Sequence, residues 1–92
     1  MRIFNGVNPV KAMKIVRMKK KGHRSYDYIA NQVGLKSETV AKVVENDAFG
    51  TIQTLAHEKF VGKRAYAKIA EKYGMKTDVL KDVLSEYKDV FL

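Results

Sequence analysis

The sequence predicts an all-α fold of about six helices, arranged as two tandem three-helix units in a compact molecule. Three observations predict it. Apolar residues recur at helical spacing and nowhere sustain the alternation of a strand. Turn residues punctuate those runs at regular intervals. Finally, sliding the chain by 40 residues aligns it with itself without a gap. That register gives identical pairs Lys19/Lys59, Gly22/Gly62, Arg24/Arg64, Tyr26/Tyr66, Ile29/Ile69, Ala30/Ala70, Gly34/Gly74, Lys36/Lys76 and Val43/Val83. Similar pairs stand between them: Ile15/Leu55, Leu35/Met75, Ser37/Thr77, Glu38/Asp78, Val40/Leu80 and Val44/Leu84. The chain is therefore read as one unit over 1–46 and a diverged copy over 47–92.

Each element has its own justification. Asn8-Pro9 is a cap residue followed by proline at the first helical position. The helix it opens places Val10, Ala12, Met13, Val16 and Lys20 on one side and ends near Gly22. Ser25 is expected to cap a short second helix carrying Tyr26, Ile29, Ala30 and Val33, which Gly34 stops. Ser37 is expected to cap the third, whose inward stripe is Val40, Val43 and Val44. Asn46-Asp47-Ala48-Phe49-Gly50 reads as the linker. The copy then has a helix following Thr51 (Ile52, Leu55, Ala56, Phe60), one from about Arg64 to Tyr73, and one following Thr77 (Leu80, Val83, Leu84, Tyr87).

Composition bounds the function. Ninety-two residues suit one compact domain or two very small ones sharing a core. With no cysteine, disulfides and thiolate metal sites are excluded, and His23 and His57 are too few for a zinc site. No cofactor is expected. No apolar run approaches the ~20 residues that span a bilayer. Met1 to Gly6 lacks the apolar core of a secretion signal, so the expected location is the cytoplasm. Eighteen Lys and Arg against ten Asp and Glu leave +8, which favours polyanionic partners. The excess is uneven. Arg2, Lys11, Lys14, Arg17, Lys19, Lys20, Lys21, Arg24, Lys36 and Lys42 face only Asp27, Glu38 and Glu45, a balance of +7 over 1–46 that leaves +1 for 47–92.

Residues 26–45 resemble the helix-turn-helix superfamily of DNA-binding proteins. The resemblance rests on Ile29, Ala30, Gly34, Leu35, Val40 and Val43, with Val33 expected to be buried. Ala30 suits a close helix crossing, and Gly34 suits a left-handed turn residue. Ile69, Ala70, Gly74, Met75, Leu80 and Val83 meet the same template, with Tyr73 in the place of Val33.

The resemblance implies a duplex-DNA partner, with the third helix of the unit in the major groove. It makes Lys36, Ser37, Glu38, Ala41 and Lys42 the candidate reading residues, with Glu45 beside them. No Arg, Asn or Gln lies on that face to read G or A bidentately, so modest specificity is expected. Lys11, Lys14, Arg17 and Lys21 recur every three or four residues along the first helix, and Lys19, Lys20 and Arg24 thicken that cluster. These are the candidate phosphate anchors; cations near a helix C-terminus are also stabilising in themselves. The second unit would present Lys76, Thr77, Asp78, Lys81, Asp82 and Ser85, a face whose carboxylates repel phosphate. It either docks through Lys59, Lys63, Arg64, Lys68 and Lys72 or binds protein.

The leading expectation is thus a small transcriptional regulator or architectural factor, nucleoid-associated and able to form a homodimer. The alternative is a protein-binding adaptor or inhibitor on the same scaffold, motivated by the acidic second face and the apolar Val90-Phe91-Leu92, which could cap the core or join a dimer. Enzymatic function is not expected. Asp78 and Asp82 lie one turn apart, but neither a glycine-rich phosphate loop nor a nucleophile–histidine arrangement accompanies them. Tyr26, Tyr66 and Tyr73 sit at core positions and offer no platform for stacking RNA bases.

Overall fold

The computed structural model describes Phe4 and residues 6–92; Arg2, counted above among the basic groups, lies outside the described residues, as does most of Met1 to Gly6. The chain is all-α, with six helices: α1 Pro9–Lys20, α2 Tyr26–Val33, α3 Ser37–Glu45, α4 Ala48–Phe60, α5 Tyr66–Tyr73 and α6 Thr77–Phe91. The start and end of α2 recur 40 residues on in α5, as does the start of α3 in α6. Between 21–40 and 61–80 even the sequence of buried, half-buried and exposed positions repeats residue for residue.

Local chemistry sets the boundaries. The Val10 amide donates to Asn8 Oδ1 (2.9 Å), and Pro9 needs no partner for a missing N–H. Ser25 Oγ accepts from the Tyr28 amide (3.1 Å), as a capping serine should. Gly34 (φ 71°) and Gly74 (φ 65°) end α2 and α5 in the left-handed region. There the Leu35 amide reaches the Ala30 carbonyl (3.0 Å) and Met75 reaches Ala70 (2.8 Å), closing the helix ends.

Three expected boundaries are corrected. Ser37 and Thr77 are the first helical residues of α3 and α6, so Lys36 and Lys76 occupy the capping positions without side-chain bonds. Ser37 instead donates its hydroxyl to Asp27 Oδ1 across to α2, a partner the second half lacks because Ala67 stands there. The linker is also shorter than expected. Asp47, itself at φ 60°, accepts the Gly50 amide (3.0 Å) and starts α4 at Ala48, so Thr51 lies within the helix. Any Cβ at Gly50 would collide with that carboxylate, which explains glycine inside a first turn.

One continuous core joins the halves. It holds Phe4, Ala12, Met13, Ile15, Val16, Ile29, Ala30, Val40 and Val43 with Ala48, Ile52, Leu55, Ala56, Ile69, Ala70, Leu80, Val83, Leu84 and Tyr87. Full burial of each large aliphatic contributes about 1.5–3 kcal/mol, and no polar side chain among the described residues is buried with them. Two inward positions differ from expectation. Ile15 faces in while Lys20 is exposed, its ammonium 5.4 Å from the Phe49 ring. Val33 and Val44, expected to face inward, are also only half-buried, although Leu84 in the place of Val44 is buried.

Across the seam, α1 packs on α4 and α6, and α4 packs on α3. Exchanging the halves maps these pairings onto one another, the pattern of an isologous pair. The symmetry is broken by length: α6 has 15 residues against nine in α3. Its extension brings Tyr87 and Phe91 against Phe49, with ring centroids 5.0–6.5 Å apart. Phe91 thus helps to close the seam, while Val90 is half-buried and Leu92 stays exposed.

Candidate nucleic-acid interface

The turn after α1 is built the same way as the turn after α4. Lys19 Nζ donates to the Arg24 carbonyl (3.3 Å) and lies 4.4 Å from the Tyr26 ring. Lys59 repeats both contacts with Arg64 (3.2 Å) and Tyr66 (4.2 Å). Gly22 and Gly62 press so close to the carbonyls of Met18 and Glu58 that a Cβ would sit 2.8 Å from the oxygen. His23 (φ 50°) and Lys63 (φ 53°) then turn through the left-handed region. The identical pairs at these sites accordingly record a loop clasp, so Lys19 and Lys59 are structural cations. Lys63 is an exposed turn residue.

The outward face of α3 is nearly balanced in charge. Lys36 is exposed at its start, and Lys42 pairs with Glu38 one turn away (3.5 Å). Ala41 is half-buried, and Glu45 is exposed. The hydrogen bond from Ser37 to Asp27 fixes the first turn of α3 beside the first turn of α2. It also places Lys36 and Arg24 at the ends of two joined helices, where exposed N–H groups and cations attract anions. On α6, Lys76, Asp78 and Asp82 are exposed, Thr77 is half-buried, and Lys81 lies 5.6 Å from the Tyr66 ring.

The basic face of α1 is divided. Lys14 is exposed and Lys11 half-buried. Arg17 donates to Glu86 on α6 (3.1 Å), and Lys21 lies 5.5 Å from the Phe91 ring. Asp82, Glu86 and Asp89 form an acidic stripe that lines one groove with Arg17. The α1 cations therefore border the carboxylates of the other half.

Sequence reasoning missed two clusters. In the second half, Glu58 receives Lys72 (3.0 Å) and Arg64 (3.6 Å). Its Oε2 is buried without a hydrogen-bond partner. Tyr73 is nonetheless the first influence, ahead of Lys72, that holds the Glu58 pKa below its ordinary value. Glu58 in turn raises the pKa values of Lys72 and Tyr73, through hydrogen bonding first. Arg64 is thus engaged, which removes it from the freely available cations. In the first half, Arg24 lies 4.8 Å from the ring of Tyr28, an exposed tyrosine on α2. Both clusters arise where the repeats differ: Met18 against Glu58, Val33 against Tyr73 and Tyr28 against Lys68. Mismatches within the repeat were the available signal.

Among the described residues, no cluster of His, Asp or Glu could hold a metal ion, and no helix is long and apolar enough to cross a membrane. No known family's sequence profile, no curated protein and no solved structure matches the chain.

Proposed function

We propose that the chain binds duplex DNA as a helix-turn-helix protein, with α3 as the groove-facing helix and the first unit carrying the contact. One observation carries the reading. Arg24 and Lys36 flank the first turns of α2 and α3, which the Ser37–Asp27 bond joins, and Lys21 lines a groove with Arg24. Such an edge suits a phosphate backbone. The balanced α3 face, with Lys42 paired to Glu38, suits positioning more than sharp base readout. A transcriptional regulator of modest specificity or an architectural factor, cytoplasmic and nucleoid-associated, is the role this implies.

Size limits the footprint. The Cα framework extends 36 × 26 × 19 Å, and α6 lies against α1, α4 and α5. Two half-sites one helical turn apart need reading helices roughly 34–36 Å apart. The axes of α3 and α6 both lie inside the 36 Å length of the molecule and fall short of that spacing, so one chain covers one half-site, and a second would require a homodimer.

Fluorescence anisotropy with duplex DNA across a salt series tests the proposal. Engagement of about four phosphates gives a log–log salt slope near −3 to −4. Lys42→Glu is expected to weaken binding, whereas Asp82→Lys leaves it unchanged or strengthens it. Absence of binding at low salt, or a flat salt dependence, overturns the reading.

The acidic stripe Asp82, Glu86 and Asp89 favours a second reading, a protein adaptor that offers α6 to a basic partner. A pull-down that retains a protein partner after nuclease treatment supports this reading, and loss of every partner counts against it.

A further inference from the structure

The repeat supplies two versions of one groove, between the end of the leading helix and the start of the next. In the second half, Glu58 occupies the groove and pairs with Arg64 and Lys72. In the first half, Arg17, Met18, Lys21, Gly22, Arg24 and Tyr28 line about 340 Å³. Met18 stands where Glu58 does, so the groove holds no carboxylate of its own. Arg24, released from the pairing that Arg64 makes, reaches the Tyr28 ring instead. Among the described residues, Lys21 and Arg24 form no ion pair. Tyr28 is 42% exposed, and the second half has Lys68 in its place.

We infer that this first-half groove binds a single unpaired nucleotide, its base stacked on Tyr28 and Met18 and its phosphate held by Lys21 and Arg24. The two recognition elements are of different kinds and adjacent. Aromatic faces stack on any base, and guanidinium groups both stack and fork onto phosphate oxygens. A simple anion would use the cations but leave the exposed Tyr28 ring without a role. A single exposed ring offers a stack for one base, which sets the occupant at one nucleotide. Paired bases in a duplex are already stacked, so the occupant is an unpaired nucleotide; Tyr28 and Met18 belong to this groove alone, whereas Lys21 and Arg24 also lie on the edge proposed to face duplex phosphates.

Titration of ¹⁵N-labelled protein with adenosine 5′-monophosphate, adenosine, inorganic phosphate and a single-stranded hexa-deoxyadenylate tests the site. The nucleotide is expected to shift the Gly22, Arg24 and Tyr28 amides and to bind at least about fivefold more tightly than phosphate or adenosine alone, since it engages both elements. Tyr28→Leu, at an exposed position, should remove that advantage, and Met18→Glu should abolish binding by copying the second half. The triple change Glu58→Met, Val61→Lys and Lys68→Tyr should create a second set of shifts around Gly62, since Val61 stands in the place of Lys21. Tighter binding of the oligonucleotide assigns the ligand to a strand, and equal binding assigns it to the free nucleotide; either supports the site. Equal response to phosphate and nucleotide, or shifts indifferent to Tyr28→Leu, overturns it. Lys42→Glu separates the two proposals, because it should weaken duplex binding and leave these shifts unchanged.

Discussion

Arg17 on α1 donates to Glu86 on α6 at 3.1 Å, across the seam between the two halves. The arginine is 57% exposed and the glutamate 22%, so water screens the pair and its worth to stability is about 0–1 kcal/mol. Its consequence is electrostatic. It holds one cation of the basic half against the acidic stripe of the other. Glu86→Gln is therefore expected to change urea stability by less than about 1 kcal/mol. The same variant should raise duplex-DNA affinity roughly two- to fivefold, as Arg17 becomes available. Parallel urea and anisotropy measurements check both effects, and unchanged affinity would refute the screening role.

The turn glycines give a stability prediction that is independent of function. Gly34 and Gly74 hold φ near +70°, where a Cβ costs about 1–2 kcal/mol. Gly34→Ala and Gly74→Ala should each lower denaturant stability by that amount, with Gly34→Asn losing less. Gly22→Ala and Gly62→Ala should also destabilise, since the new Cβ meets a backbone oxygen that cannot swing aside.

Helix starts that look alike in sequence should respond differently. Ser25→Ala removes a true cap and should cost about 1 kcal/mol. Ser37→Ala removes a bond to Asp27 rather than a cap. A double-mutant cycle between Asp27→Ala and Ser37→Ala should then give a coupling of about 0.5–1 kcal/mol. Thr77→Ala should fall within about 0.5 kcal/mol of wild type, because Ala67 offers its hydroxyl no partner. Equal losses at Ser37 and Thr77 would contradict this.

Glu58 sets a pH dependence. Its folded pKa lies below the ordinary value of 4.5. A depressed carboxylate pKa contributes stability that is present above the unfolded value and is lost as pH falls through the folded one. Stability should therefore decline from about pH 4.5 downward, and Glu58→Gln should flatten that part of the profile. Lys72, raised above 10.5, acts in the opposite sense, its contribution fading only at strongly alkaline pH. Denaturant melts from pH 3 to 7 decide the matter: an unchanged acid slope in Glu58→Gln would rule Glu58 out.

Helix periodicity and turn chemistry made most of each unit's interior legible along the chain. Ile29, Ala30, Gly34, Val40 and Val43, with their copies 40 residues on, are constrained by helix periodicity and by the steric demands of a left-handed turn. Both act over a few residues and so can be read along a line. The capping bond of Ser25 is equally local. Where outward side chains find partners depended instead on the assembled fold. Ser37 meets Asp27 ten residues away, Arg17 meets Glu86 sixty-nine away, and Lys72 meets Glu58 fourteen away. Spacing along the chain carries no information about such meetings, because they depend on how the helices cross and on the six-residue extension of α6. The outward faces of α3 and α6 differ in their own residues, and that difference was legible along the chain. Which of their charges are left unpaired follows from the way the helices are packed, because ion pairs form through space.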